Sequence, residues 1–159
     1  MTPKEIFDHL KSKFGEAVIE FKDDKPVDSY IIVSADKIDE ISYYLRDFED
    51  FQFDSLSCLS GIDYGDGKLG VTYHLFSYAK RHKVVLKVIV PADIPDVKTV
   101  SEVWQTANWH EREAYDMIGI KFEGHKDLRR ILLEEDWEGH PLRKDFQVPE
   151  FFHGMRVPY

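Results

Sequence analysis

The sequence predicts an α+β two-layer domain, a small mixed or antiparallel sheet covered by helices, followed by a long irregular C-terminal extension. Three observations predict it. Apolar residues recur at helical spacing in two early segments, three β-rich runs follow at close intervals, and residues 120–159 scatter glycine and proline without a long periodic element.

The first helix is announced by Thr2, Pro3 and Glu5, a capping box with proline at the first helical position, and by the apolar spacing of Ile6, Phe7, Leu10 and Phe14 before a stop at Gly15. Ala17 to Phe21 and Tyr30 to Val33 read as two short strands joined by the polar turn Lys22 to Ser29, hence a hairpin. Ser34 can cap a second helix, whose apolar face is Ile38, Ile41, Leu45 and Phe48. Phe53 to Leu59, Leu69 to Tyr78 and His82 to Val90 then form an antiparallel meander, with turns at Gly65 to Gly67 and near Ala79 to Arg81. After Pro91 and Pro95, a last helix begins between Thr99 and Ala107 and ends at Gly119.

The division that follows is an α+β domain over residues 1–119 and an extended partner-docking segment over 120–159. Only a turn of helix at Asp127 to Leu133 suggests regular structure there. Pro149, Gly154 and Pro158 break the chain, yet Phe122, Leu128, Ile131, Leu132, Leu133, Trp137, Leu142, Phe146, Phe151 and Phe152 call for burial. A segment that is irregular and apolar at once marks an interaction site.

Composition narrows the function. The chain has 159 residues, 43% of them hydrophobic, and a net charge of −9, so its field repels nucleic acid and anionic membrane surfaces. Cys58 is the single cysteine, which excludes an internal disulfide and a cluster held by four thiolates of this chain. The most apolar run, Val84 to Val90, is interrupted by Lys87 and is too short to span a bilayer. MTPKEIFDHL lacks the apolar core of a signal peptide, so the expectation is a soluble cytoplasmic chain with no direct membrane insertion.

Two motifs fail in context. Gly65, Gly67 and Gly70 have dinucleotide-binding spacing, but Gly70 opens the strand pattern Val71 to Phe76 where that fingerprint needs a helix. A hairpin turn at Asp66-Gly67 is the better account. His110-Glu111 begins like a zinc-protease helix, but position 114 is alanine and the second ligand is missing. His125, Asp127, His140 and Asp145 could assemble a metal site only if folding gathers them, and Glu134-Glu135-Asp136 reads as a solvated acidic loop.

The densest chemistry lies between Asn108 and Phe146. Arg112 and Asp116 lie four apart on the last helix, with Glu113 beside them and Trp104, Trp109, Ala114, Tyr115, Met117 and Ile118 around them. An exposed salt-bridged helix is one reading. The other is a buried ionic network in which Arg112 meets acidic partners and fixes the following segment. Arg129-Arg130 and Arg143-Lys144 could be solvated charge, a nucleic-acid patch, which the acidic total disfavours, or forks for carboxylates on a partner with Leu128, Ile131, Leu142 and Phe146 as apolar anchors.

The words EREAYDMIGI, FEGHKDLRRIL and DWEGHPLRKDF stand here in order, with a weaker echo upstream in LSGIDYGDG at Leu59 to Gly67. On these words the chain resembles the 30 kDa subunit of respiratory complex I, the proton-pumping NADH:quinone oxidoreductase. Lys126 departs from the proline usual in that family, and Ser60 from threonine. The resemblance implies a non-catalytic, cofactor-free structural subunit of the peripheral arm, docked on the 49 kDa quinone-site subunit beside iron–sulfur subunits, on the cytoplasmic side of the inner membrane. FMN, iron–sulfur clusters and quinone would belong to those partners. Glu111, Arg112, Glu113, Asp116, His125, Asp127, Arg129, Arg130, Trp137, Arg143, Lys144, Asp145 and Phe146 are the candidates for partner binding or a structural ionic network, with none assigned to catalysis, cofactor or metal. Two other readings stand beside it: the equivalent subunit of a membrane-bound hydrogenase or other donor-specific complex, and a free-standing metal-dependent enzyme.

Overall fold

The computed structural model describes residues 1–23 and 28–157. Helix α1, Pro3–Phe14, opens on the expected capping box: the Thr2 side chain accepts from the Glu5 amide and the Glu5 carboxylate accepts from the Thr2 amide at 2.7 Å. It buries Ile6 and Leu10 and ends at Gly15, whose φ of 56° is one that glycine adopts without strain. Strands β1, Val18–Lys22, and β2, Tyr30–Val33, pair antiparallel as expected. Residues 24–27 of the expected turn lie outside the described residues.

Helix α2, Ile38–Asp47, starts later than a Ser34 cap would allow. The Ser34 hydroxyl donates to the Asp36 carboxylate instead, and its carbonyl accepts from the Lys37 amide, closing a turn ahead of the helix. Ser34 is thus a turn residue, an alternative its short side chain always offers.

Strand β3, Ser55–Gly65, begins two residues later and runs six residues further than its apolar run suggests. Phe53 is excluded because its backbone is already engaged: its amide donates to the Leu45 carbonyl, and its own carbonyl accepts from the Trp104 indole at 2.9 Å. At the other end, Ser60 to Gly65 continue the ladder opposite Lys68 to Thr72. Asp66 and Gly67, both at positive φ, make the predicted hairpin turn into β4, Lys68–Ser77. Gly70 sits inside β4, which disposes of the dinucleotide reading.

With β5, His82–Pro91, the five strands form one sheet in the order β1-β2-β5-β4-β3. All neighbours are antiparallel except β2 and β5, which run parallel, so the sheet is mixed. One face presents Leu69, Val71, Tyr73 and Leu75 of β4 and Val84, Leu86, Val88 and Val90 of β5, all in the buried core with the helices. On the opposite face lie Thr72, His74, Lys87 and Ile89, and no described helix covers it.

Two short strands were not expected from the sequence. Asp96–Lys98 (β6) and Lys121–Glu123 (β7) pair in parallel and bury Val97 and Phe122. Residues 120–123, expected in the extension, therefore pack into the body. Between them runs α3, Ala107–Ile118, terminated by left-handed Gly119, whose N–H reaches the carbonyls of Ala114 and Tyr115. Helix α3 lies close against β3 because Gly61 has no side chain. A Cβ there would stand 3.2 Å from both Ala114 Cβ and Ile118 Cγ1.

The segment Asp127 to Leu133 contains no helix, because its amides are drawn onto a carboxylate of α3. Near the end of the chain Phe151–Phe152 (β8) and Met155–Arg156 (β9) form a small hairpin. Pro158 lies outside the described residues.

Candidate functional site: a clasp around the end of the last helix

Asp116 is the centre of the site. It sits in the last turn of α3, fully buried. One carboxylate oxygen, Oδ2, accepts from three successive amides, those of Ile131, Leu132 and Leu133, at 2.8 to 3.0 Å. The other, Oδ1, accepts from the Arg130 guanidinium at 2.6 Å. Burial alone would raise the carboxyl pKa, but the amides and Arg130 together outweigh it and hold the pKa below the ordinary carboxylate range. Amides turned together onto one carboxylate are not free to donate along the chain, which accounts for the missing helical turn.

Arg130 then ties in the next loop, donating to the carbonyls of Trp137 and Gly139 at 2.8 and 2.9 Å. The exposed carbonyl end of α3 is closed in the same way. The Asp116 carbonyl meets His140 Nδ1 at 3.0 Å, the Met117 carbonyl accepts from the Leu142 amide, and the Ile118 carbonyl accepts from Arg143 Nε at 2.5 Å. A helix C-terminus leaves such carbonyls without internal partners and carries partial negative charge, which suits an arginine. Burial lowers the pKa of His140, and the flanking arginines act in the same direction. Gly119 admits His140 and Arg143 because a Cβ would come within 2.7 Å of both.

Two further contacts complete the clasp. Arg112 donates to the carbonyls of Arg129 and Arg130 at 3.1 and 2.9 Å. Asp63 of β3 accepts from the Lys144 amide at 2.8 Å, while Lys144 Nζ reaches the Tyr64 carbonyl at 3.2 Å. The amides of Lys144 and Gly65 depress the Asp63 pKa.

Glu111 faces the other way, into the body. Its carboxyl accepts from the Val100 amide at 2.7 Å and the Thr99 hydroxyl at 2.5 Å, which holds the turn leading into α3. Burial raises its pKa to about 7 against the opposing pull of those two bonds. His125 lies beside it, with Nε2 3.9 Å from the carboxyl. Its Nδ1 accepts from the Asp127 amide, so Nε2 carries the hydrogen and donates to the Asn108 carbonyl at 3.1 Å.

The structure corrects several expectations. Arg112 does not meet acidic partners; it binds carbonyls, and Asp116 four residues on takes Arg130 instead. Within the chain, Arg130 and Arg143 donate to groups of the chain itself, the Asp116 carboxylate and backbone carbonyls. Arg129 forms only an exposed pair with Asp127, at 3.0 Å. Trp109, expected to shelter the charges, is 70% exposed. Glu113 and Asp145 are exposed and Phe146 lies against Gly139. Trp137 packs tilted against Phe152, with its indole nitrogen buried and without a partner among the described residues. His125, Asp127, His140 and Asp145 do not converge. Among the described residues the one group with metal-ligand proximity is Glu134, Asp136 and His153, all exposed.

Gly61 and Asp63 belong to the site but are not among the residues the sequence singles out. The signal was present, since both lie in LSGIDYGDG, and folding brings that stretch against α3 and Lys144. The clasp turns backbone groups inward and leaves apolar side chains outside: Leu132, Leu142, Phe151 and Met155 are 64%, 60%, 57% and 68% exposed.

Residues 31–152 match the family described as respiratory-chain NADH dehydrogenase, 30 Kd subunit. The chain belongs to this family. Among relatives of the 30 Kd subunit, the C subunit of NADH-quinone oxidoreductase from Chloroherpeton thalassium is 47% identical over 94% of this chain and 63% of its own length. Its counterpart in Chlorobium phaeobacteroides is 46% identical over 96% of this chain and 93% of its own. Thus the chain spans less than two thirds of one relative and nearly all of the other. Among solved structures, the trypsin-resistant fragment of Nqo5 superposes with a TM-score of 0.65 at 26% identity, covering 80% of this chain and 100% of the fragment. A chain of the archaeal membrane-bound sulfane sulfur reductase shares the fold, with a TM-score of 0.72 at 24% identity over 91% of this chain and 85% of that one. Among the described residues no helix is long and apolar enough to cross a membrane.

Proposed function

We propose that this member of the 30 Kd family is a non-catalytic, cofactor-free structural subunit of the peripheral arm of a proton-pumping NADH:quinone oxidoreductase. It docks on the 49 kDa quinone-site subunit beside the iron–sulfur subunits, on the cytoplasmic side of the inner membrane, and is held there through the complex. The observation that carries this reading is the clasp. It spends its polar groups on fixing the course of residues 127–144 and leaves Leu132 and Leu142 facing outward, an arrangement suited to presenting a rigid apolar surface to a partner. FMN, iron–sulfur clusters and quinone are assigned to neighbouring chains, and the single cysteine supports that assignment for four-thiolate clusters. Rigidity at such a joint serves electron transfer and quinone chemistry by keeping the neighbouring centres in register.

A second reading, the equivalent subunit of a complex with another electron donor, is favoured by the likeness to the sulfane sulfur reductase chain. Companion proteins decide between the two. Affinity purification of the tagged chain from detergent-solubilised membranes, with mass spectrometry, is expected to recover a large quinone-site subunit with iron–sulfur and NADH-oxidising subunits. Recovery with a different donor module selects the second reading. Truncation after Lys144 keeps the clasp and removes Phe151 and Met155, and it is expected to weaken recovery. Recovery of the full chain without partners overturns the proposal, and equal recovery after truncation removes residues 145–159 from the docking surface.

A further inference from the structure

The face of the sheet opposite the helices is a second surface built for contact. By strand register, His74 of β4 stands opposite Val85 of β5, Thr72 opposite Lys87, and Gly70 opposite Ile89; Tyr30 and Ile32 of β2 continue the rows beside Val85 and Lys87. Tyr64 of β3 lies over Gly70, where a Cβ would come 2.6 Å from its ring. The surface carries aromatic and aliphatic side chains, with Ile89 40% and Tyr64 36% exposed. Beneath it His74 Nδ1 is buried and without a hydrogen-bond partner among the described residues. The Thr72 hydroxyl is buried beside the hydroxyl of Tyr64.

Its charge is unlike that of the molecule. The chain as a whole carries −9. Two carboxylates at the edge of this face are occupied, Asp28 by Lys83 at 2.9 Å and Glu20 by Lys22 at 3.6 Å. Near the centre, Lys87 has no carboxylate partner among the described residues; its ammonium stands 3.7 Å from the centre of the Tyr30 ring. Covering the apolar residues around it desolvates that ammonium, which is unfavourable unless the covering surface brings a counter-charge.

We propose that this open sheet face docks an acidic segment of a neighbouring protein subunit, one that sets a carboxylate on Lys87 between apolar side chains lying on Tyr64 and Ile89. The proposal rests on the reading of the chain as part of a complex and adds a docking site on the sheet face opposite the helices. It gives the chain a second contact surface.

The test compares the intact complex, isolated through a tag on another subunit, with the free chain. Lysines are acetylated in both and read by peptide mass spectrometry, and the complex is treated with a carbodiimide that joins ammonium groups to carboxylates in contact. The expected result is slowing of Lys87 acetylation by about fivefold or more in the complex, with a link from Lys87 to an aspartate or glutamate of another subunit. Lys87→Glu is expected to lower incorporation into the complex by about tenfold, and Lys87→Gln by less, while both leave the melting of the free chain unchanged. Equal acetylation in complex and free chain, or unimpaired incorporation of Lys87→Glu, overturns the docking site. Either result leaves membership of the complex standing, because the chain must be in the complex for the measurement to be made.

Discussion

The sheet body and the C-terminal segment are held by opposite means. The body keeps its shape by burying side chains: Ile6, Leu10, Leu45, Phe53, Tyr73 and Leu86 are all inaccessible to water. From residue 127 onward the chain keeps its course by polar bonds to the end of one helix, while Leu132, Leu142, Phe151 and Met155 face solvent. The difference teaches where association energy is stored. A segment fixed by its backbone can present its apolar side chains without collapsing onto them.

Breaking the clasp at its centre should have the largest effect. Asp116→Ala leaves three amides without their acceptor and Arg130 without its carboxylate, and is expected to destabilise the chain by roughly 3 to 5 kcal/mol. Tryptic cleavage at Arg129, Arg130 and Arg143 should accelerate while cleavage within the sheet does not. Loss of stability without new cleavage in the segment would mean that Asp116 serves the body alone.

The body has its own polar weak point in Glu111. Its pKa rises from 4.5 to about 7 on folding, so the folded state holds a proton that the unfolded state releases between those values. The stabilisation is fully present below pH 4.5 and is lost as pH rises through 7, by roughly 3 kcal/mol. Glu111→Gln can keep one bond to the Val100 amide and one to the Thr99 hydroxyl. It is expected to flatten that limb of the profile and to raise the melting temperature at pH 8 relative to the parent, a contrast read in melts at pH 5 and pH 8.

Trp109 provides the smallest expected change in stability. At 70% exposure, Trp109→Ala should alter the folding free energy by no more than about 0.5 kcal/mol. Co-purification of partner subunits with the variant should nevertheless fall, since exposed tryptophans beside a fixed surface are frequent anchors. Unchanged recovery would confine docking to the segment itself.

Local chemistry was legible in the sequence. The capping box of α1 and the glycine stop of α3 are complete within a few residues, and the Asp66-Gly67 turn needs only its own two. Pairings between distant residues were not. Strands β6 and β7 have three residues each and acquire meaning only beside one another. Gly61 discourages a strand by propensity, yet it belongs to one because its missing side chain admits α3. The four-residue spacing of Arg112 and Asp116 suggested a pair; three amides and a guanidinium fifteen or so residues later won the carboxylate instead. Most of the clasp's charged residues stand out in the sequence, and only folding reveals their partners.

The single parallel junction, β2 against β5, also constrains how the molecule can be made. Strands β3, β4 and β5 follow one another and can zip together as they are synthesised, whereas the amino-terminal hairpin has nothing to join until β5, ending at Pro91, has left the ribosome. For the intervening residues the first quarter of the chain waits with Ile31 and Val33 unsheltered. Of the five strands, the two made first are thus among the last to enter the sheet.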